Sequence, residues 1–279
     1  MSSIESRSAP IVVVKDLNKR FEERRGMFGR TSTVVEAVSG LSFSIAAGGS
    51  VALVGESGSG KTTTARILVG LEPPTSGSVS VDGLQVTGIQ GVRMRRKLAG
   101  RIQMVFQDPY VSLDPRQSVR RMLDEVLRVG TDLGPEDRKT RIGDLIESVG
   151  LPARSLTALP RELSGGQRQR AAIARALAVR PRVLVLDEAV SALDTSVQAQ
   201  ILNLLDELRD EFSLAYLVIT HDLAVARQIA DEALVMRRGE VIETGPVDDL
   251  LHSPKEPYTQ ALIDSIPHVG MDLSRSDHP

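Results

Sequence analysis

The sequence predicts an α/β fold built around a parallel sheet, and three observations predict it. Short apolar runs of strand character alternate with amphipathic helical runs along most of the chain. Two runs, "VLVL" (183–186) and "LAYLVI" (214–219), are apolar throughout, as central strands covered on both faces must be. Between them lies a helical pattern over 196–212, with Val197, Ile201, Leu204, Leu205, Leu208 and Phe212 on one face; that stripe reads as core. Strand, helix and strand at this spacing form a parallel crossover unit.

The remaining elements follow in order. "IVVV" (11–14), "LSFSI" (41–45), "SVALV" (50–54), "SVSV" (78–81) and "IQMVF" (102–106) read as strands. So do "EALVM" (232–236) and "EVIET" (240–244). A helix follows "SVALV" and ends near Gly70. The stretch 108–176 carries helical patterns at 117–129 and 136–149 and no convincing strand, so it reads as a helical insertion between two sheet segments. "RMRRK" (93–97) reads as a solvated helix face, because nothing aromatic is interleaved with it as nucleic-acid binding would want.

Composition narrows the function. A chain of 279 residues makes one large domain or two small ones. A formal net charge of −2 gives no bulk attraction to nucleic acid or an anionic membrane. The absence of cysteine excludes disulfides, cysteine-ligated zinc, iron–sulfur clusters and thiol catalysis. Aromatic residues are only 3%, too few for a base-stacking platform. The N-terminus lacks the pattern of a secretory signal, and no apolar run approaches the ~20 residues that span a bilayer. The chain is expected to be soluble by itself and to reach a membrane only through a partner.

"GESGSGKT" fits G-x-x-x-x-G-K-T at Gly55, Gly60, Lys61 and Thr62, after an apolar strand and before a helix. In such a loop Gly55, Glu56, Ser57, Gly58, Ser59, Gly60, Lys61, Thr62 and Thr63 wrap backbone amides around a polyphosphate, and the helix start adds partial positive charge. Lys61 would bridge the β and γ phosphates, and the Thr62 hydroxyl would ligate Mg²⁺. A Rossmann reading fails for want of its third glycine. The motif predicts binding of a nucleoside triphosphate, and the lack of an Asn-Lys-x-Asp run disfavours GTP.

Acids and amides at other strand ends complete the expectation. Asp187 sits at the tip of "VLVLD" and would hold Mg²⁺ through water. Glu188 would accept a proton from the attacking water. His221 in "ITHD" follows the next strand and would contact the γ-phosphate. Gln107 in "VFQDP" ends another strand, with its amide in reach of Mg²⁺ or the lytic water. In "LSGGQRQR" (163–170), Ser164 is a helix cap, Gln167 completes a capping box, and bare glycine amides open a second anion-binding helix start.

In that order, "GESGSGKT", "VFQDP", "LSGGQ", "VLVLDE", "SALD" and "ITHD" resemble the ATP-binding subunit of an ABC transporter, over residues ~11–245. The resemblance implies a P-loop NTPase (RecA-like) core, an antiparallel β subdomain and the helical insertion already read. The implied division is 11–107 with 177–245 for the core and β subdomain, 108–176 for the helical subdomain and 246–279 for a C-terminal extension. It implies Gln107 as the Q-loop glutamine, Asp187 as the Walker B acid, Glu188 as the base, Ser191 to Asp194 as the D-loop and His221 as the switch histidine. Ser164, Gly165, Gly166 and Gln167, with Asp194, would then face the ATP held by an opposite subunit. An aromatic before the phosphate loop would stack on adenine; Phe21 matches best and Phe28 is second. Ala189 stands where Pro commonly follows the acid pair, a departure that alters no reacting group.

"SPKEPYTQALIDSIP" (253–267), "RRGMFGR" and "FQDPYVSLDPR" (106–116) are similar to the oligopeptide/dipeptide importer ATPases, a family that includes nickel importers. The resemblance implies ATP and Mg²⁺ as cofactors and peptide uptake as the function. Its partners would be a second, related ATPase subunit or a second copy, two membrane permease subunits and, indirectly, an extracytoplasmic solute-binding protein, with no nucleic acid. Lacking cysteine, this chain resembles the member of such a pair without an iron–sulfur cluster. It would sit peripherally on the cytoplasmic face of the membrane. Import of nickel or another small solute is the alternative; a soluble ABC ATPase acting on nucleic acid is a third, without the insertions such proteins carry.

Overall fold

The computed structural model describes residues 10–25, 31–108 and 112–265. Two sheets form its frame. β1 (Pro10–Arg25) and β2 (Thr31–Ala46) make a long antiparallel hairpin, joined by β4 (Ser76–Val81) and β5 (Leu84–Gln85) in the order β2-β1-β4-β5. The second sheet runs β10-β9-β3-β8-β7-β6, with β3 (Ser50–Val54), β6 (Ile102–Val105), β7 (Val183–Asp187), β8 (Ala215–Thr220) and β9 (Glu232–Arg237) parallel. β10 (Glu240–Pro246) closes one edge antiparallel.

Residue alternation along the central strands builds two cores from one sheet. Val51, Leu53, Val183, Val185, Leu217 and Ile219 face the antiparallel sheet, packing with Val12, Val14, Leu41, Ile45, Val79 and Val81. Ala52, Val54, Leu184, Leu186, Tyr216 and Val218 face the helices on the other side. Every residue of β3, β7 and β8 is buried, which is why these strands are apolar at consecutive positions. Tyr216, buried among the aliphatics, donates its hydroxyl to the Leu205 carbonyl at 2.6 Å, so its polar atom is satisfied.

α1 (Lys61–Leu68) lies on the antiparallel-sheet side, where Ala65, Ile67 and Leu68 join that core. α2 (Val92–Ala99) buries only Leu98 and exposes its basic residues. Between β6 and β7 the described chain contains no strand. It holds α3 (Val119–Gly130), capped by Ser118; α4 (Pro135–Ser148), with proline in its first turn; and α5 (Gly165–Leu177). α6 (Thr195–Phe212) returns to the sheet, burying Ile201, Leu202, Leu204, Leu205 and Leu208; Val197 and Phe212 pack at the edge of that core. α7 (Leu223–Ile229), α8 (Val247–His252) and α9 (Pro257–Asp264) follow, and two short 3-10 helices lie at Ala153–Leu156 and Pro160–Glu162.

The hairpin is longer than its apolar runs predict. Strands expected at 11–14 and 41–45 extend to 16 residues each. The added part pairs Phe21 with Val35 and Arg20 with Glu36, and the Arg20 guanidinium meets the Glu36 carboxylate at 3.0 Å. Cross-strand pairing therefore sets the length of a segment whose polar sequence carries no alternation of its own. Register shifts between Val14 and Lys19 bend it, with Asp16 at a left-handed φ of 45°.

Candidate active site

The site begins where β3 ends. Gly55, with φ 153°, turns the chain so close to β9 that a Cβ there would fall on the Met236 carbonyl oxygen. Gly60, with φ 105°, approaches β2 as closely, and a Cβ would fall on the Ala37 carbonyl oxygen. The loop is thus wedged between two strands, and only glycine fits at either contact. The Gly239 amide donates to the Ser59 carbonyl at 3.0 Å, and α1 starts with the Thr64 amide on the Gly60 carbonyl at 2.9 Å.

Lys61 is buried at the head of α1. Its ammonium donates to the Gly55 carbonyl at 2.6 Å, the Glu56 carbonyl at 2.8 Å and the Ser59 hydroxyl at 3.3 Å. Burial pushes its pKa down, opposed by the charges of Glu188, Asp187 and Glu56. Thr62 donates its hydroxyl to Asp187 Oδ1 at 3.0 Å. Burial pushes the Asp187 carboxyl up, helped by the neighbouring Glu188 charge and opposed by that hydrogen bond.

Glu188 leaves β7 in a left-handed conformation, φ 46°, with its amide on the Ile219 carbonyl at 2.9 Å. Its own carbonyl accepts the Ser191 amide and hydroxyl, at 3.1 and 3.0 Å, which closes a tight turn. Its carboxylate accepts from the Gln107 amide at 2.8 Å and lies 3.6 Å from His221 Nδ1. The turn aims Glu188 across the ends of β6, β7 and β8 toward the loop.

Most of these groups line one open cavity of about 880 Å³; Gly55 and Asp187 are not among its lining residues. Glu56, Ser57, Gly58, Ser59, Gly60, Lys61, Thr62 and Thr63 form its floor, and Gln107, Glu188 and His221 one wall. The opposite side holds Val35, Glu36, Ala37 and Arg238, none of which a motif in the sequence signals. Phe21 does not line the cavity. It is exposed on β1 directly across from Val35, with the Lys19 ammonium 4.6 Å from its ring centre. Phe28 lies outside the described residues.

Ser164, Gly165, Gly166, Gln167 and Asp194 are not among the residues that line this cavity. Ser164 caps α5: its hydroxyl accepts the Gln167 amide at 3.3 Å, and the Gln167 side chain accepts the Ser164 amide at 3.0 Å. Gly165 and Gly166 abut Leu193 and Val197, so the helix start rests on the 191–194 turn of its own chain. Asp194 caps α6, accepting from the Val197 amide at 3.0 Å and the Ser196 hydroxyl at 2.8 Å; these bonds hold its carboxyl below the usual carboxylate range. Among the described residues no cluster of three His, Asp or Glu is set to hold a metal alone, and no helix is long and apolar enough to cross a membrane.

The family model for ABC transporters matches residues 38–191, and that for the oligopeptide/dipeptide transporter C-terminal region matches 242–277. The chain is 45% identical to the di/tripeptide transport ATP-binding protein DppF of Pseudomonas aeruginosa, over 95% of this chain and 81% of that protein. It is 42% identical to the oligopeptide transport ATP-binding protein AppF of Bacillus subtilis, over 92% and 78%. Among solved structures, the ATP-binding cassette MJ0796, a dimer in a post-hydrolysis state bound to ADP and Pi, superposes with a TM-score of 0.74 at 29% identity, covering 85% of this chain and 98% of that one. With an α/β frame and with a phosphate loop and the strand-end Glu188 at one cavity, the chain belongs to the ABC transporter family, as an ATP-binding and ATP-hydrolysing subunit of the oligopeptide/dipeptide type.

Proposed function

We propose that this chain drives uptake of peptides through an ABC importer, with Glu188 as the base in each ATP turnover. The convergence of Lys61, Thr62, Glu188, Gln107 and His221 on one cavity, with Asp187 bonded to Thr62, carries the reading. Lys61 and the amides of 57–62 hold the β and γ phosphates. Glu188, fixed by Gln107, orients water against the γ-phosphate and takes its proton, and His221, 3.6 Å from Glu188, contacts the γ-phosphate. Phe21 stacks on adenine beside Val35. Mg²⁺, where bound, would supply neutralisation of the phosphate charge. Thr62 and Asp187 suit it, being hard oxygen donors 3.0 Å apart at the phosphate end of the loop, and Mg²⁺ sites use few protein ligands plus phosphates.

The helix start at Ser164–Gln167, with Asp194, faces the γ-phosphate held by a second ATPase subunit, a related chain or a second copy. Residues 11–107 and 177–245 act as the core, 108–176 as the helical subdomain and 246–279 as the extension. Gln107 to Arg116 and the helical subdomain pass the motion to two permease subunits at the cytoplasmic face of the membrane, fed by a solute-binding protein. Peptide is favoured over nickel because the relatives described are named for di-, tri- and oligopeptide transport.

Glu188→Gln tests the base. The variant should bind ATP normally and hydrolyse it at least ~10²-fold more slowly; near-normal turnover would remove Glu188 from the mechanism. The solute is tested on the complex purified with its permeases. Turnover should rise with peptide-loaded binding protein, and stimulation by nickel alone would overturn the peptide reading.

A further inference from the structure

The C-terminal extension reaches the phosphate loop. Glu243 on β10 anchors α9: its carboxylate accepts the Lys255 amide at 2.8 Å, the Glu256 amide at 3.3 Å and the Thr259 hydroxyl. Thr259 and Leu262 are buried beneath the helix. Tyr258, on the first turn, packs against the same core, and the Arg237 guanidinium lies 4.8 Å from its ring centre at the end of β9. So placed, its hydroxyl accepts the Glu56 amide at 3.1 Å.

That amide and the Gly55 carbonyl belong to one peptide unit. Lys61 holds the carbonyl at 2.6 Å, while Tyr258 holds the N–H. In a trans peptide these groups point in opposite directions, so the unit is gripped from both sides. Gly55, with φ 153°, leaves it the widest rotational freedom of any residue type, and the grip removes that freedom. Glu56 also offers its carbonyl to Lys61 at 2.8 Å and to the Ser59 amide at 3.2 Å, so its orientation passes into the rest of the cradle.

We infer that Tyr258 is a positioning residue of the ATP site: from the C-terminal extension it fixes the Gly55–Glu56 peptide, and through it the ammonium of Lys61. The inference rests on the phosphate-loop reading of residues 55–62. It gives the extension a part in nucleotide binding, exerted without contact with ATP, since Tyr258 does not line the cavity.

Tyr258→Phe removes the hydroxyl and keeps the ring on Arg237. In the full chain it should weaken ATP binding and raise KM for ATP by about three- to tenfold, the effect of one lost hydrogen bond. The kcat at saturating ATP should stay at the wild-type value, and the unfolding midpoint without nucleotide should fall by no more than the loss of one hydrogen bond allows. Lys61→Ala, measured beside it, should lose ATP binding. If Tyr258→Phe keeps wild-type KM while Lys61→Ala loses binding, the inference fails and the loop reading stands. If Lys61→Ala binds ATP normally, the loop reading fails. A fall in the nucleotide-free unfolding midpoint together with kcat in Tyr258→Phe would make Tyr258 merely structural and also overturn the inference.

Discussion

Gly60 carries a constraint that backbone space alone sets. Its φ of 105° is strained for any L side chain, and a Cβ would meet the Ala37 carbonyl, a backbone atom that cannot rotate away. Gly60→Ala is expected to lower stability by about 2 kcal/mol or more and to abolish ATP binding, read by denaturant unfolding and by nucleotide titration. Neutral stability would mean that the loop can move off β2. Constraints of this kind made the loop legible in the sequence, because glycine spacing records where the backbone must turn or touch. Asp187 and Glu188 were legible because they end a strand with no other polar residue. Arg238 and Val35–Ala37 were not, since they reach the cavity from the β9–β10 turn and from β2 and belong to no motif. Nothing in the spacing of Tyr258 placed it against Glu56, 202 residues away.

At the level of elements, α5 has two separable features at one residue. Ser164 caps the helix, and it opens a row of glycine amides. Loss of the cap alone costs about 1 kcal/mol, so Ser164→Ala should shift the unfolding midpoint slightly and leave ATP binding unchanged. Its hydrolysis should fall only in the assembled complex, measured as turnover with and without the partner subunits. Equal loss in the isolated chain would assign the defect to this chain's own site. The helices legible in advance were those with strong periodicity, such as α6. The short α7 and α8 carry too few turns for a pattern. The far half of the β1–β2 hairpin exists through pairing, so its own polar sequence could not announce it.

For the molecule as a whole, the arrangement of its two glycine-rich helix starts bears on the proposed shared site. The start of α1 opens on the cavity with Glu188 and His221, while the start of α5 rests on the 191–194 turn and stands outside that cavity. The order of motifs revealed both starts, and the family resemblance it carries already implied that they serve the nucleotides of different subunits. Under the shared-site proposal, the α5 start serves the nucleotide of a facing subunit. Closure should then need ATP on the loop of one subunit and an open helix start on the other. Glu188→Gln, mixed with its ATPase partner and MgATP, should sediment as a stable pair, because slowed hydrolysis leaves the closed state populated. Adding Ser164→Arg puts a bulky cation where the γ-phosphate of the facing subunit would dock. The double variant should still bind ATP, since its own loop is untouched, yet its association with the partner should weaken. Unchanged pairing in the double variant would show that the α5 start lies outside the interface, and the shared-site mechanism would fall with it.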